Sequence, residues 1–243
     1  MILGCDISAY QGKTNFVKMQ DAGARFVILR KQVGYLGDIM FWENFEKAKQ
    51  TDLKIGIYGV PFVGYDINKQ YSKLIEGLSP GDIDFPPFAD IERRHTCTMS
   101  KAIGDVLSYL FKIRAWYGDA AIYTAKFIWE EKYSTKKGWI NDWDLFVANY
   151  TTYHEPHYIP VGWEYRLDGT AVSVQDSFAI WQFSADKNGR GYEFGVSSPD
   201  IDLDLMKQWF WDKHLGVTSP VLYKTALDVP READTIEITL KRE

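Results

Sequence analysis

Eight short apolar runs constrain this chain more than any other feature. They are ILGCD (2–6), RFVILRKQ (25–32), KIGIYGVP (54–61), PPFADIE (86–92), AAIYTA (120–125), DLFVANY (144–150), FAIWQFS (178–184) and DIDLDLM (200–206). Each is brief and rich in β-branched and aromatic residues, which favours strands over helices. Helical patterns separate the early ones, at 15–23, 41–52, 66–78 and 101–118, the last with Ser100 as its expected N-cap and Gly118 as its C-cap. Strands alternating with helices imply parallel strands joined by right-handed crossovers.

After the fifth run the alternation decays. Residues 126–136 read as a short helix, and 151–177, punctuated by Pro156, Pro160, Gly162 and Gly169, as an irregular stretch with room for a hairpin. The pattern predicts an irregular TIM-like (β/α) barrel of eight strands, with helices mostly lost in its last third. Residues 203–213 are expected to close it as a final helix. The catalytic unit is read as 1–213. Residues 214–243 read as a linker and a short strand-like tail, notably Thr235 to Leu240.

The 243 residues suffice for one such barrel, and the net charge of −5 lacks the basic footprint that nucleic-acid binding needs. Met1 leads at once into ILGCDISAY, so no signal peptide is expected, and no apolar run is long enough to span a membrane, so no membrane insertion is expected. Cys5 and Cys97 cannot form a disulfide framework, and neither they nor the four histidines have zinc-site spacing. No metal and no cofactor is expected.

Chemistry in such barrels sits at the C-terminal ends of the strands. Polar residues stand there in this chain: Asp6, Tyr58, Asp90 with Glu92, Tyr123, Asn149 with Tyr150, and Gln182, with Asp202 inside the eighth run. Each has a plain structural explanation. Asp6 suits a turn cap, the tyrosines suit core rings with a wet hydroxyl, and Asp202 sits in an acidic run with Asp200 and Asp204. Asp90 and Glu92, in PFADIERR, suit a strand end paired with Arg93 or Arg94. Coincidence is what these explanations leave over: carboxylates from runs one, four and eight would meet at one mouth, because strand eight closes beside strand one.

The motifs in order resemble the glycoside hydrolase family 25 lysozymes, the Chalaropsis-type muramidases found among phage endolysins. GCDISAYQG (4–12) is similar to that family's first strand and FADIE (88–92) to its D-x-E strand. IYTAKFIW (122–129), LFVANY (145–150), IWQFS (180–184) and IDLDLM (201–206) follow the family's order. Two departures stand out. RKQVG (30–34) keeps the family's base and glycine but has Val33 in place of its acid, and Asp204 stands where Asn is usual, leaving Asp202 as the matching acid.

The resemblance implies hydrolysis of the β-1,4 bond between N-acetylmuramic acid and N-acetylglucosamine in peptidoglycan, with glycan strands as partner. It also implies action at the bacterial wall or within a virion, after synthesis in the cytoplasm of a phage host. The tail is a place for a further wall-binding or virion module. A glycosidase needs one protonated carboxyl group for the leaving oxygen and another group to stabilise an oxocarbenium-like transition state. Glu92 is the expected acid, with Asp90 raising its pKa by like charge. Asp90 is expected to orient the sugar's own acetamido group for attack, although a spacing of about 6.8 Å between alternate Cα atoms leaves retaining and inverting geometries open. Asp6 and Asp202 are expected to tune the pair, and Tyr58, Tyr123, Tyr150, Trp181, Gln182 and Asn149 to bind substrate. The rival readings are a chitinase-like hydrolase of other acetamido sugars and a catalytically silent sugar-binding or virion module.

Overall fold

The computed structural model describes residues 1–93, 95–125, 142–150, 164–167, 170–173, 178–185 and 187–216. Eight of its strands close on themselves: β1 (Ile2–Ile7), β2 (Phe26–Val33), β4 (Lys54–Val60), β5 (Phe88–Asp90), β6 (Ala121–Ala125), β7 (Asp144–Ala148), β10 (Phe178–Ser184) and β11 (Asp202–Met206). The order is β1-β11-β10-β7-β6-β5-β4-β2, and a direct β1–β2 pairing completes the circle. A short β3 (Leu36–Gly37) folds back on β2, while β8 (Glu164–Leu167) and β9 (Thr170–Ser173) form the separate hairpin for which the sequence left room.

One strand departs from the expected pattern. β11 runs antiparallel to both β1 and β10, whereas the other barrel pairs are parallel. A parallel return needs a crossover, usually helical. The described residues between β10 and β11 include no helix, so the chain comes back in the opposite sense. The start of β11 therefore lies at the end of the barrel where the parallel strands finish, with Asp202 in register with Asp6.

Alternation along the strands sorts the core into two layers. Ile2, Phe26, Ile28, Phe88, Ala121, Tyr123, Phe146, Ile180 and Met206 fill the lumen. Gly4 makes room there, since a Cβ at that position would overlap the Phe26 ring. The outward set, including Val27, Leu29, Ile55, Ile57, Ile122, Leu145 and Val147, packs under the helices.

Those helices are α1 (Phe16–Asp21), α2 (Phe41–Ala48), α3 (Ile67–Ile75) and α4 (Met99–Tyr117). In α2 the buried residues Phe41, Asn44, Phe45 and Ala48 recur at the spacing of one helical face. Gly118 ends α4 in the left-handed conformation, as expected. The N-cap is Thr98, not Ser100, because the Thr98 hydroxyl accepts the Lys101 backbone N–H from an extended backbone.

The final helix, α5 (Gln208–Leu215), begins later than residue 203, because 202–206 are committed to β11. It carries Phe210 and Trp211 against Phe85, closing the end of the barrel away from the mouth. The expected helix at 126–136 and the strand-like piece at 235–240 lie outside the described residues. Among those described, no helix is long and apolar enough to cross a membrane.

Candidate active site

The β1 end carries the first acid. Ser8, not Asp6, caps the turn that follows: its hydroxyl accepts the Tyr10 N–H, and Gln11 returns a carbonyl oxygen to the Ser8 N–H. Asp6 is thereby free of the turn and points into the lumen, 6% exposed. Its carboxylate accepts the side-chain amide of Gln182. Burial pushes the Asp6 pKa up to about 7 against the lowering effect of that bond; Glu92 adds to the rise and Arg30 opposes it.

The β5 end carries the second and third. Strand pairing stops at Asp90, which is 4% exposed and lies beside Tyr123 in the register. Asp90 accepts the Glu92 backbone N–H at 3.2 Å, and this tight turn lifts Glu92 onto the rim, where its side chain meets solvent. Burial raises the Asp90 pKa well above the usual carboxylate range, and the Glu92 charge raises it further.

Glu92 is open to solvent on one side and crowded by protein on the other. Its pKa is also raised, by partial burial first, with Arg93 and Arg30 pulling it back. The expected cause was the charge of Asp90. The structure assigns the rise at Glu92 to its surroundings and places the larger like-charge burden on the deeper Asp90. The expected surface pairing has a different geometry as well: Arg93 holds its guanidinium over the Phe62 ring at 4.7 Å, and Arg94 lies outside the described residues.

The three acids of the last run have three separate places. Asp200 accepts the Gly189 N–H in the preceding loop. Asp202, half-buried, stands across from Asp6 at the mouth. Asp204 lies fully buried between Gly4 and Gln182 in the register.

Most of the expected binding residues line this mouth. The Tyr123 and Tyr150 hydroxyls both donate to the Gln182 carbonyl oxygen at 2.9 Å, so a single amide joins both rings to Asp6. Tyr150 is 54% exposed and offers a ring face; Tyr58 feels the charges of Asp6, Asp90 and Asp202, and burial raises its pKa. Asn149 contributes its backbone: its carbonyl accepts the Trp181 indole N–H at 2.8 Å, and its N–H donates to the Gln182 carbonyl. Trp181 itself is not at the mouth. It neighbours Gln182 on a strand and so faces the other way, fully buried against Phe183, with no face left to stack on a sugar.

Two residues that sequence reasoning missed complete the wall. Arg30 points into the mouth, and its partner is Asp38, in the segment between β3 and α2, at 2.8 Å. Asp38 also accepts the Ala9 N–H at 3.0 Å, tying the turn after β1 to this segment. The exposed Tyr10 ring lies 4.9 Å from the Arg30 guanidinium. Val33, where the family's acid is missing, therefore does not leave Arg30 without a carboxylate: Asp38 supplies it. The one sequence signal for Asp38 was its place two residues before Met40, whose N–H it accepts at the head of α2.

At the opposite end of the barrel, Asp119, Asp144 and His214 lie close enough to one another to share an ion. The Lys213 ammonium already bridges both carboxylates, at 2.7 and 2.6 Å, so this is an ion-pair cluster. Cys5 is buried and Cys97 partly so, both as free thiols.

A closed barrel whose mouth gathers buried and half-buried carboxylic acids beside aromatic hydroxyls has the layout of a glycoside hydrolase. The chain belongs to the glycosyl hydrolases family 25, whose profile matches residues 5–192. Its fold is that of a muramidase from Trichobolus zukalii (TM-score 0.68, 22% identity, 89% of this chain and 100% of that one). It is equally that of a bacterial lysozyme from Streptomyces coelicolor (TM-score 0.69, 18% identity, 88% and 96%). The catalytic domain of an endolysin from a Listeria monocytogenes bacteriophage is also similar (TM-score 0.67, 15% identity, 89% and 98%). No curated protein matches the chain.

Proposed function

We propose that the chain is an N-acetylmuramidase that cuts the β-1,4 bond between N-acetylmuramic acid and N-acetylglucosamine, with Glu92 and Asp90 as its catalytic pair. The carrying observation is their arrangement: a deep carboxyl group, 4% exposed, directly behind an accessible one on the rim, both with raised pKa values. Such a pair titrates as a unit, and its working form holds one proton. Family membership and the muramidase and lysozyme relatives support the substrate class.

In the proposed reaction Glu92 gives its proton to the glycosidic oxygen as the bond to the anomeric carbon breaks. The acetamido oxygen of the sugar attacks that carbon from the opposite face, and ionised Asp90 orients the acetamido N–H and balances the positive charge of the cyclic intermediate. Water then opens the intermediate, returning its proton to Glu92, with net retention at the anomeric carbon. Asp6 and Asp202 supply negative potential and bind sugar hydroxyls. Tyr58, Tyr123 and Tyr150, with Gln182 and Asn149, shape the subsite.

Residues 1–213, with the last two residues of α5, are proposed to suffice for this activity, and the remainder to 243 to serve as linker and tail toward a wall-binding or virion module. The site of action is the bacterial wall. Digestion of purified peptidoglycan followed by mass spectrometry tests the bond: reducing-end N-acetylmuramic acid is expected. Reducing-end N-acetylglucosamine, or clearing of chitin in preference to walls, would overturn the reading.

A further inference from the structure

Asp204 is an acid that the proposed reaction leaves unused, in a place where an acid is costly. It is 0% exposed, and no hydrogen-bond donor among the described residues reaches either of its carboxyl oxygens. An ionised carboxylate stripped of water and of donors is strongly disfavoured. Its side chain shares the lumen face with Met206 and Asp202, the alternate residues of β11, and the register sets it opposite Gly4, two residues from Asp6 on the same face of β1, so the two carboxyl groups are diagonal neighbours across the strand pair. Two carboxyl groups form a hydrogen bond only when one carries a proton.

The donor of that bond is fixed by what surrounds each group. Asp6 already accepts the Gln182 amide and lies nearer the positive charge of Arg30, which both favour its ionised form. Asp204 has neither, and faces the negative charges of Asp6 and Asp202. Cys5 lies on the other face of β1 and carries no charge as a buried thiol; Arg190 acts on Cys5, and Glu92 acts on Asp6.

We propose that Asp204 is a positioning residue: it stays protonated at neutral pH and donates that proton to Asp6, holding the Asp6 carboxylate toward the mouth between two donors. The inference rests on the reading of Asp6 as part of the active site, but its first test does not. Burial, reinforced by Asp6 and Asp202, raises the Asp204 pKa well above the usual range, in the direction the geometry requires.

Two measurements test this. The first follows carboxyl carbons by NMR in the full chain labelled at aspartate, with D204N assigning the Asp204 signal. The signal is expected to keep its protonated position at pH 7; titration in the ordinary range near about 4 would overturn the proposal. The second compares D204N with D204L across pH. Asparagine keeps a donor, so turnover should stay near that of the parent. Leucine has none: kcat should fall about tenfold or more with KM little changed, and the acidic limb should move to higher pH as Asp6 becomes easier to protonate. Equal turnover and equal pH profiles for the two variants would show that Asp204 only fills space, and would overturn the proposal. Should D204L fail to fold, the NMR titration of the parent decides. Failure of the muramidase reading would show separately, as a parent enzyme that releases no muropeptide.

Discussion

The side-chain amide of Gln182 donates to the carboxylate of Asp6 at 2.5 Å, joining residues 176 positions apart across the closing strands of the barrel. The same amide accepts both tyrosine hydroxyls through its oxygen, so its orientation is fixed and its N–H can only point at Asp6. Loss of that donor should raise the Asp6 pKa above its value of about 7. For Gln182→Leu, the acidic limb of kcat/KM should therefore move to higher pH. Gln182→Glu, which keeps the acceptor but adds a charge facing Asp6, should lower activity further. Steady-state kinetics on soluble muropeptide from pH 4 to 8 measures both; an unmoved acidic limb in Gln182→Leu would remove Gln182 from the control of Asp6.

Arg30 and Asp38 form a pair with side chains only 15% and 1% exposed. Breaking a buried pair by removing one partner costs about 3–5 kcal/mol, because the other charge stays buried and uncompensated. Asp38→Ala should show a loss of that order in chemical denaturation. It should also raise KM, since the turn carrying Tyr10 loses its tie at Ala9. A variant as stable as the parent would show that Arg30 finds another partner or turns outward.

Part of this was legible in the sequence and part was not, for definable reasons. The lumen layer follows from period-two alternation, which is why Asp6, Tyr58, Asp90, Tyr123 and Gln182 all reach the mouth. The same alternation already barred Trp181, because it adjoins Gln182 on one strand and both cannot face inward. The sense of β11 was not legible: its run of apolar residues fits either direction, and only its register with β1 and β10 reveals it. Asp38 was invisible because its partner is set by a fold-back of the chain rather than by a sequence period. Asp204 read as part of a surface acidic run, since D-I-D-L-D gives no sign of which acid is buried.

Burial of the acids also sets the pH dependence of stability. Asp6, Asp90 and Asp204 all have folded-state pKa values above the ordinary carboxylate range. An acid of this kind holds its proton more tightly folded than unfolded. Its contribution to stability is full below about pH 4 and is lost as the pH rises through the folded-state value. For Asp6 that loss runs to about pH 7. Asp90→Asn, which removes the chance of ionising, should therefore raise Tm at pH 7 and leave it little changed at pH 4. Calorimetry at the two pH values checks this, and a lower Tm at pH 7 would mean that the Asp90 charge is compensated in the fold.

The sharpest test lies in the two acids of PFADIERR. Glu92→Gln keeps the size of the side chain and removes the proton it would transfer. Proton transfer by a positioned group contributes about 10²–10⁴-fold, so turnover should fall at least that far while substrate still binds. Asp90→Asn should also be severely impaired, because it no longer carries the charge that balances the cyclic intermediate. Its residual activity should show a shifted profile. Glu92 then titrates alone, the upper of the pair's two titration steps is gone, and the alkaline limb, where the last proton is lost, moves to lower pH. Asp6→Asn and Asp202→Asn should be intermediate, since they shape the field without handling the proton. An exposed pair serving only the surface would be worth at most about 1 kcal/mol of stability and would leave turnover untouched. Cleavage of cell walls by all four variants, with folding checked by circular dichroism, separates the two outcomes. A folded Glu92→Gln protein with near-normal turnover would end the mechanism proposed for this barrel.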